Sequence, residues 1–224
     1  FELARLILAK DEAQGGSMAT AGAIALAGPL SQLIDDIWTE ETGDVSALGE
    51  TIRALLPEHL RESADFISIV MTAWPLRLAE LGMSDPAQRR SALLSALADR
   101  WREAPPPGPV IAAGSTGSIP AAADLMAAIA DMPKGAVVLP GLDRDMDDKA
   151  WAALKDDDQH PQQAMQAFLE KIELTRDQVA VWPGHAASTQ GAARQRILAE
   201  ALRPAEETSD WLKRISALEG RGKG

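Results

Sequence analysis

A chain of 224 residues with 46% hydrophobic side chains has room for one large domain or two small ones, and enough apolar material for a real core. A formal charge of -11 and a sequence pI near 4.7 exclude a whole-surface electrostatic footprint for nucleic acid, which needs clustered Lys and Arg; any DNA contact must be local or supplied by other chains. The absence of cysteine excludes disulfides, thiolate zinc sites and cysteine-ligated clusters in this stretch and fits a reducing, cytoplasmic setting, and no uncharged apolar run reaches the roughly 18 residues of a membrane span.

The chain opens at Phe1, without Met, directly in amphipathic helix, the pattern expected of a piece of a longer protein. Phe1 to Ala13 sets Leu3, Leu6, Ile7 and Leu8 along one side, and Gly15-Gly16-Ser17 breaks the run. Met18 to Glu40 is a second helical pattern, expected to be buried over Met18 to Leu30. It is interrupted at Gly28-Pro29, resumes through Leu30, Leu33, Ile34 and Ile37, and closes at Trp38. A turn at Thr42-Gly43-Asp44 precedes a short helix over Val45 to Leu56, with Leu48, Ile52 and Leu55 inward. Pro57 begins another helix, whose stripe Leu60, Ala64, Ile67 and Met71 continues through Trp74 and Leu78. Ser84-Asp85-Pro86 signals a helix start, and that helix runs to about Arg102 with Leu93, Leu94, Leu97 and Trp101 inward. The stiff Pro105-Pro106-Pro107-Gly108 linker marks the subdomain boundary.

Beyond it the pattern changes. Val110 to Ala113 reads as a buried strand stopped by Gly114, Thr116 and Gly117, and Pro120 opens a helix with Leu125, Met126 and Ile129 on one face. Met132-Pro133-Lys134-Gly135 ends that helix. Val137-Val138-Leu139 is a second buried strand, closed by Pro140-Gly141. Two strands joined by one crossover helix form a right-handed βαβ unit, whose strand carboxyl ends are the usual place for ligands. Helices follow around Trp151 and Leu154 and from Pro161 to Ile172, and Val179-Ala180-Val181-Trp182 is expected as a third strand, broken by Pro183-Gly184. Ala192 to Leu202 is a helix stopped by Pro204. Glu206 to Leu218 is the last, with Trp211, Leu212 and Ile215 inward and a frayed glycine-rich end. The fold class expected is α/β: a helix-rich subdomain over 1–107, then a small parallel-sheet subdomain over 108–224.

Three stretches invite chemistry. Gly114-Ser115-Thr116-Gly117-Ser118 sits where nucleotide folds cradle phosphate on backbone amides, which makes a Rossmann-like nucleotide-binding module one alternative. A Walker A loop needs a Gly-Lys-Ser/Thr ending, and Pro120 replaces the third glycine of a dinucleotide fingerprint, so a plain tight turn is preferred. Asp143, Asp145 and Asp147 alternate after the second strand. Asp143 and Asp145 suit a magnesium-dependent phosphohydrolase, but the loop continues as Met146-Asp147-Asp148-Lys149 and not with small residues, and an acidic turn capping the helix at Trp151 explains the same carboxylates. His59, His160 and His185 show no metal-ligand spacing, and His160 reads as a helix-start residue. Arg194, Arg196 and Arg203 read as a solvated helix face.

The strings PPPGPVIAAGSTGSIP, GAVVLPGLD, His160-Pro161-Gln162 and ALRPAEETSDW, with ADFISIVMTAWP and DPAQRRSALLSALADRW before them, resemble the AddB family. Its members are subunits of the bacterial AddAB helicase-nuclease, which processes double-strand DNA breaks. The resemblance covers nearly the whole chain. It implies an internal segment: the helical part resembles the insert of the first helicase-like domain, and the βαβ part the return into a degenerate RecA-like sheet. The parent's iron–sulfur nuclease, with its cysteines, would lie beyond this stretch. In an active helicase of this superfamily the first strand would carry a Walker B acid, whereas Ala113 stands there, and GLDRDMD lacks a phosphate-sensing glutamine. The resemblance therefore implies a segment with no catalytic residues, metal or cofactor of its own, an AddA-type partner subunit, DNA reached through the full complex and no membrane. Ser115, Thr116 and Ser118 are the loop residues expected to meet DNA or phosphate.

Overall fold

The computed structural model describes residues 1–40, 69–182 and 189–208. The turn at 42–44, the helix over 45–56, the helix from Pro57 as far as residue 68, His59, the break at Pro183-Gly184, His185, and the last helix with Trp211, Leu212 and Ile215 and its glycine-rich end lie outside the described residues. The described chain is helix-rich with one small parallel sheet. It divides into two compact units, Phe1–Ala96 with Ile119–Ala121, and Leu97–Ser118 with Ala122–Gly224.

In the first unit, α1 (Glu2–Ala13) and α2 (Thr20–Thr39) pack together, burying Leu3, Ala4, Ile7, Ala23, Leu30, Ile34 and Ile69, with Trp38 and Trp74 against them. The expected interruption at Gly28-Pro29 is absent. Helix α2 runs through Pro29, because the buried stripe of Ala23, Leu30 and Ile34 continues in register on both sides of it. Nor is the helix buried all round: Ile24, Leu26 and Leu33 are 40–49% exposed. A π-helical turn over Ile69–Ala73 leads into α3 (Trp74–Glu80), directly ahead of Pro75, a residue that cannot donate to the preceding turn. Asp85 opens α4 (Pro86–Glu103) as expected: its Oδ1 accepts from Ala87 N at 2.9 Å and its Oδ2 from the Trp74 indole at 3.2 Å. The inward face of α4 differs from the expected one. Ala87, Ser91 and Ala98 are buried, Leu94, Leu97 and Trp101 are half-buried, and Leu93 is 60% exposed.

In the second unit, β1 (Val110–Ala113) and β2 (Gly135–Val138) pair in parallel with Val110 opposite Gly135, joined by α5 (Pro120–Ala130). Gly135 is obligatory at the entry to β2, since a Cβ there would lie 1.7 Å from the Ile129 carbonyl oxygen. Strand β1 alternates, with Ile111 and Ala113 exposed, whereas in β2 Ala136 is exposed and both Val137 and Val138 are half-buried. Ala112, Val137 and Leu139 pack on Ala123, Met126 and Ala127 of α5 and on Phe168, while Ile111 is 58% exposed on the opposite face. The expectation of a fully buried first strand is corrected to this alternation, and the expected second strand, Val137, Val138 and Leu139, is half-buried throughout. Then come α6 (Asp148–Ala153), α7 (Gln163–Lys171) and α8 (Thr189–Ala201).

The third strand expected at 179–182 does not form; among the described residues the sheet has two strands. A capping box of Thr175 and Gln178 closes a single 3-10 turn there, leaving Val179 extended. Val179 packs on Leu142, Met165 and Leu169, but Val181 and Trp182 are each 57% exposed. A strand needs a neighbour to receive its hydrogen bonds, and this run has none in the sheet. Among the described residues no helix is long and apolar enough to cross a membrane.

Candidate functional site

The loop after β1 takes its shape from two left-handed glycines, Gly114 at φ +83° and Gly117 at φ +77°. Gly114 N donates to Val138 O at 3.2 Å, carrying the ladder one residue past Ala113, and Gly117 N donates to Ser115 Oγ at 3.3 Å. A side chain at Gly117 would press on Phe168 Cβ at 3.3 Å, so the loop rests on α7. Ser115 and Ser118 are exposed and Thr116 is half-buried; Ala113, exposed at the end of β1, presents only a methyl group. One turn into α5, Asp124 accepts from Arg102 Nη2 at 2.8 Å and pairs with Lys171 at 3.2 Å. The Arg102 hydrogen bond holds the Asp124 carboxyl below the usual carboxylate range, assisted by Lys171 and opposed by partial burial, and the same bond raises the Arg102 guanidinium.

The acidic turn after β2 is structural in its wiring. Asp143, 6% exposed, turns Oδ1 to the amides of Asp145 and Met146, both at 2.9 Å, while its own amide donates to Gln162 Oε1 at 2.9 Å. Gln162 Nε2 in turn donates to Gly141 O. Asp147 is the N-cap of α6, with Oδ1 accepting from Ala150 N at 3.0 Å and Oδ2 held by Arg203 at 2.6 Å. Arg176 donates to the carbonyls of Asp143 and Met146 and to Asp148 Oδ1, and its guanidinium lies 4.4 Å from the Trp151 ring centroid. This wiring supports the capping reading for Asp147, and gives Asp143 the closing of the turn. Asp145 is exposed.

Gln162, Arg176 and Arg203 carry this turn, and sequence reasoning gave none of them a role in it. The only local signal was three alternating carboxylates in want of cations. Arg203 is also not on a solvated face, since its side chain is 5% exposed against Asp147; Arg194 and Arg196 are exposed on α8. His160 begins the approach to α7, as expected. Its Nδ1 accepts from Gln162 N at 3.1 Å, and its Nε2 donates to Leu202 O at 2.7 Å.

A groove of about 950 Å³ opens beside this turn. It is lined by residues 139 and 141–146, by His160, Pro161 and Gln162, by Asp177 and residues 179–182, and by Gln195, Leu198, Ala199 and Leu202. Ser115, Thr116 and Ser118 do not line it, so the loop and the acidic turn are separate features and not one constellation. Among the described residues no group of three or more His, Cys, Asp or Glu is placed to hold a metal ion. No protein-family model, curated protein or solved structure matches the chain.

Proposed function

We propose that this chain is an internal, non-catalytic segment of an AddB-type subunit of the AddAB helicase-nuclease, a degenerate RecA-like scaffold that engages DNA beside an AddA-type partner in double-strand break repair. The observation that carries the reading is the parallel βαβ unit whose first strand ends in Ala113. A strand end in that position is where a motor places the acid that orients magnesium and water, and a methyl group binds neither. The strings that resemble the AddB family support the same reading. The exposed hydroxyls of Ser115 and Ser118, at the turn into α5, supply neutral donors for a phosphate backbone that passes an otherwise acidic chain.

The test is fluorescence anisotropy of labelled duplex and single-stranded oligonucleotides against the whole chain. Binding is expected to be weak and salt-dependent, and about tenfold weaker for Ser115→Asp with Ser118→Asp, the cost of setting like charge against phosphate. Undiminished binding by that variant, or phosphatase activity lost in Asp143→Asn, would count against the reading.

A further inference from the structure

Four large apolar side chains stand open around the groove beside the acidic turn: Val181 and Trp182 are each 57% exposed, Leu198 59% and Leu202 48%. Soluble chains seldom gather this much apolar surface at one concavity without a use for it. Its floor is apolar too, from buried Leu142 and Met146 and half-buried Leu139 and Val179. Among the described residues that line it the charges have one prevailing sign, with the exposed carboxylates of Asp145 and Asp177 and the buried one of Asp143 set against the guanidinium of Arg144. Of the nearby cations among the described residues, Arg176 is committed to Asp148 and two carbonyls and Arg203 to Asp147, while Arg194 and Arg196 are exposed on α8 and do not line the groove.

We propose that this groove docks a basic amphipathic helix of a partner protein. Apolar residues on one helical stripe settle against Val181, Trp182, Leu198 and Leu202, and flanking Lys or Arg side chains meet Asp145 and Asp177. Trp182 is the anchor, since a half-exposed indole at the rim of a groove has most to gain from being covered. The charge decides among occupants. Phosphates of a nucleic acid would be set against three carboxylates, and a second copy of the chain brings a net charge of -11 to an acidic groove. The groove's shape and charge are independent of the AddB reading.

The experiment measures binding of a labelled synthetic peptide to the whole chain. The peptide spans about three helical turns, with Leu at the i, i+3, i+4 and i+7 positions and Lys beside them. A matched peptide with Glu for Lys and a single-stranded oligonucleotide serve as competitors. The lysine peptide is expected to bind, to weaken with added salt, and to bind about tenfold less tightly to Trp182→Ser and to Asp145→Lys, while the glutamate peptide does not bind. Both substituted side chains are exposed, so their melting curves should match the parent's; Leu198→Ser replaces either one that does not. Failure of the lysine peptide to bind, equal binding to parent and variants, equal binding of the glutamate peptide, or displacement by the oligonucleotide would overturn the proposal.

Discussion

Glu173 is the one non-glycine residue at positive φ among those described, at +54°. It follows α7 at the position after the C-cap, where its amide donates to Glu170 O at 3.1 Å and the next amide, that of Leu174, donates to Leu169 O at 3.0 Å. This is the closure that Gly82 makes after α3, with its own amide on Ala79 O and the Met83 amide on Leu78 O. At Glu173 the same backbone is imposed on a residue with a Cβ, which costs roughly 1–2 kcal/mol, part of which returns as the smaller chain entropy of a non-glycine residue. Glu173→Gly is therefore expected to stabilise the chain by about 1 kcal/mol, seen as a higher urea midpoint at unchanged slope. An unchanged or lowered midpoint would mean that the carboxylate makes a compensating contact. Residue-scale burial was less legible than residue-scale turn chemistry. Leu93 sits at a helical spacing that reads as core, yet α4 turns Ser91 and Ala98 inward instead.

Helix α6 is short, six residues, and depends on its acidic start. Asp147 both caps it and neutralises Arg203, whose side chain is 5% exposed. Asp147→Ala removes a cap and leaves a buried guanidinium without that carboxylate, at an expected cost of about 3 kcal/mol. Asp147→Asn keeps the cap oxygen, so it should recover part of that loss; thermal unfolding of the pair separates the two contributions. Asp124 ties α5 to the last turn of α4 and to α7 through Arg102 and Lys171. The fold depresses this carboxyl, so its contribution is complete above the ordinary carboxylate range and is lost as pH falls through the depressed value. With Arg102 40% exposed, solvent screening keeps the contribution small. Asp124→Asn should lower neutral-pH stability by up to about 1 kcal/mol and flatten the acid limb of the stability profile, so that the two proteins converge at low pH. Parallel acid limbs would show that the pair is inconsequential.

For the molecule as a whole, the proposed scaffold role requires that catalysis not be one substitution away. Ala113→Asp places a carboxylate at the end of β1, but no Gly-Lys-Ser/Thr phosphate loop occurs in the sequence to receive the nucleotide. The variant is expected to release no phosphate from ATP above the parent's background. Measurable hydrolysis would contradict the reading.

The sequence by itself determined whatever is governed by a few neighbouring residues. It placed α1, the Asp85 start of α4, the βαβ unit with its glycine turn, and the approach to α7 at His160. These rest on dihedral preferences, caps and missing amide hydrogens, which act over one turn of chain. Only the tertiary structure decided which carboxylate meets which cation, because the contacts that hold the acidic turn span 19 residues for Gln162, 30 for Arg176 and 56 for Arg203. It also decided that α2 runs on through Pro29, and that Val179 enters the core while Val181 and Trp182 remain outside the sheet. Burial and strand pairing are properties of a residue together with its distant neighbours, and no local pattern carries them.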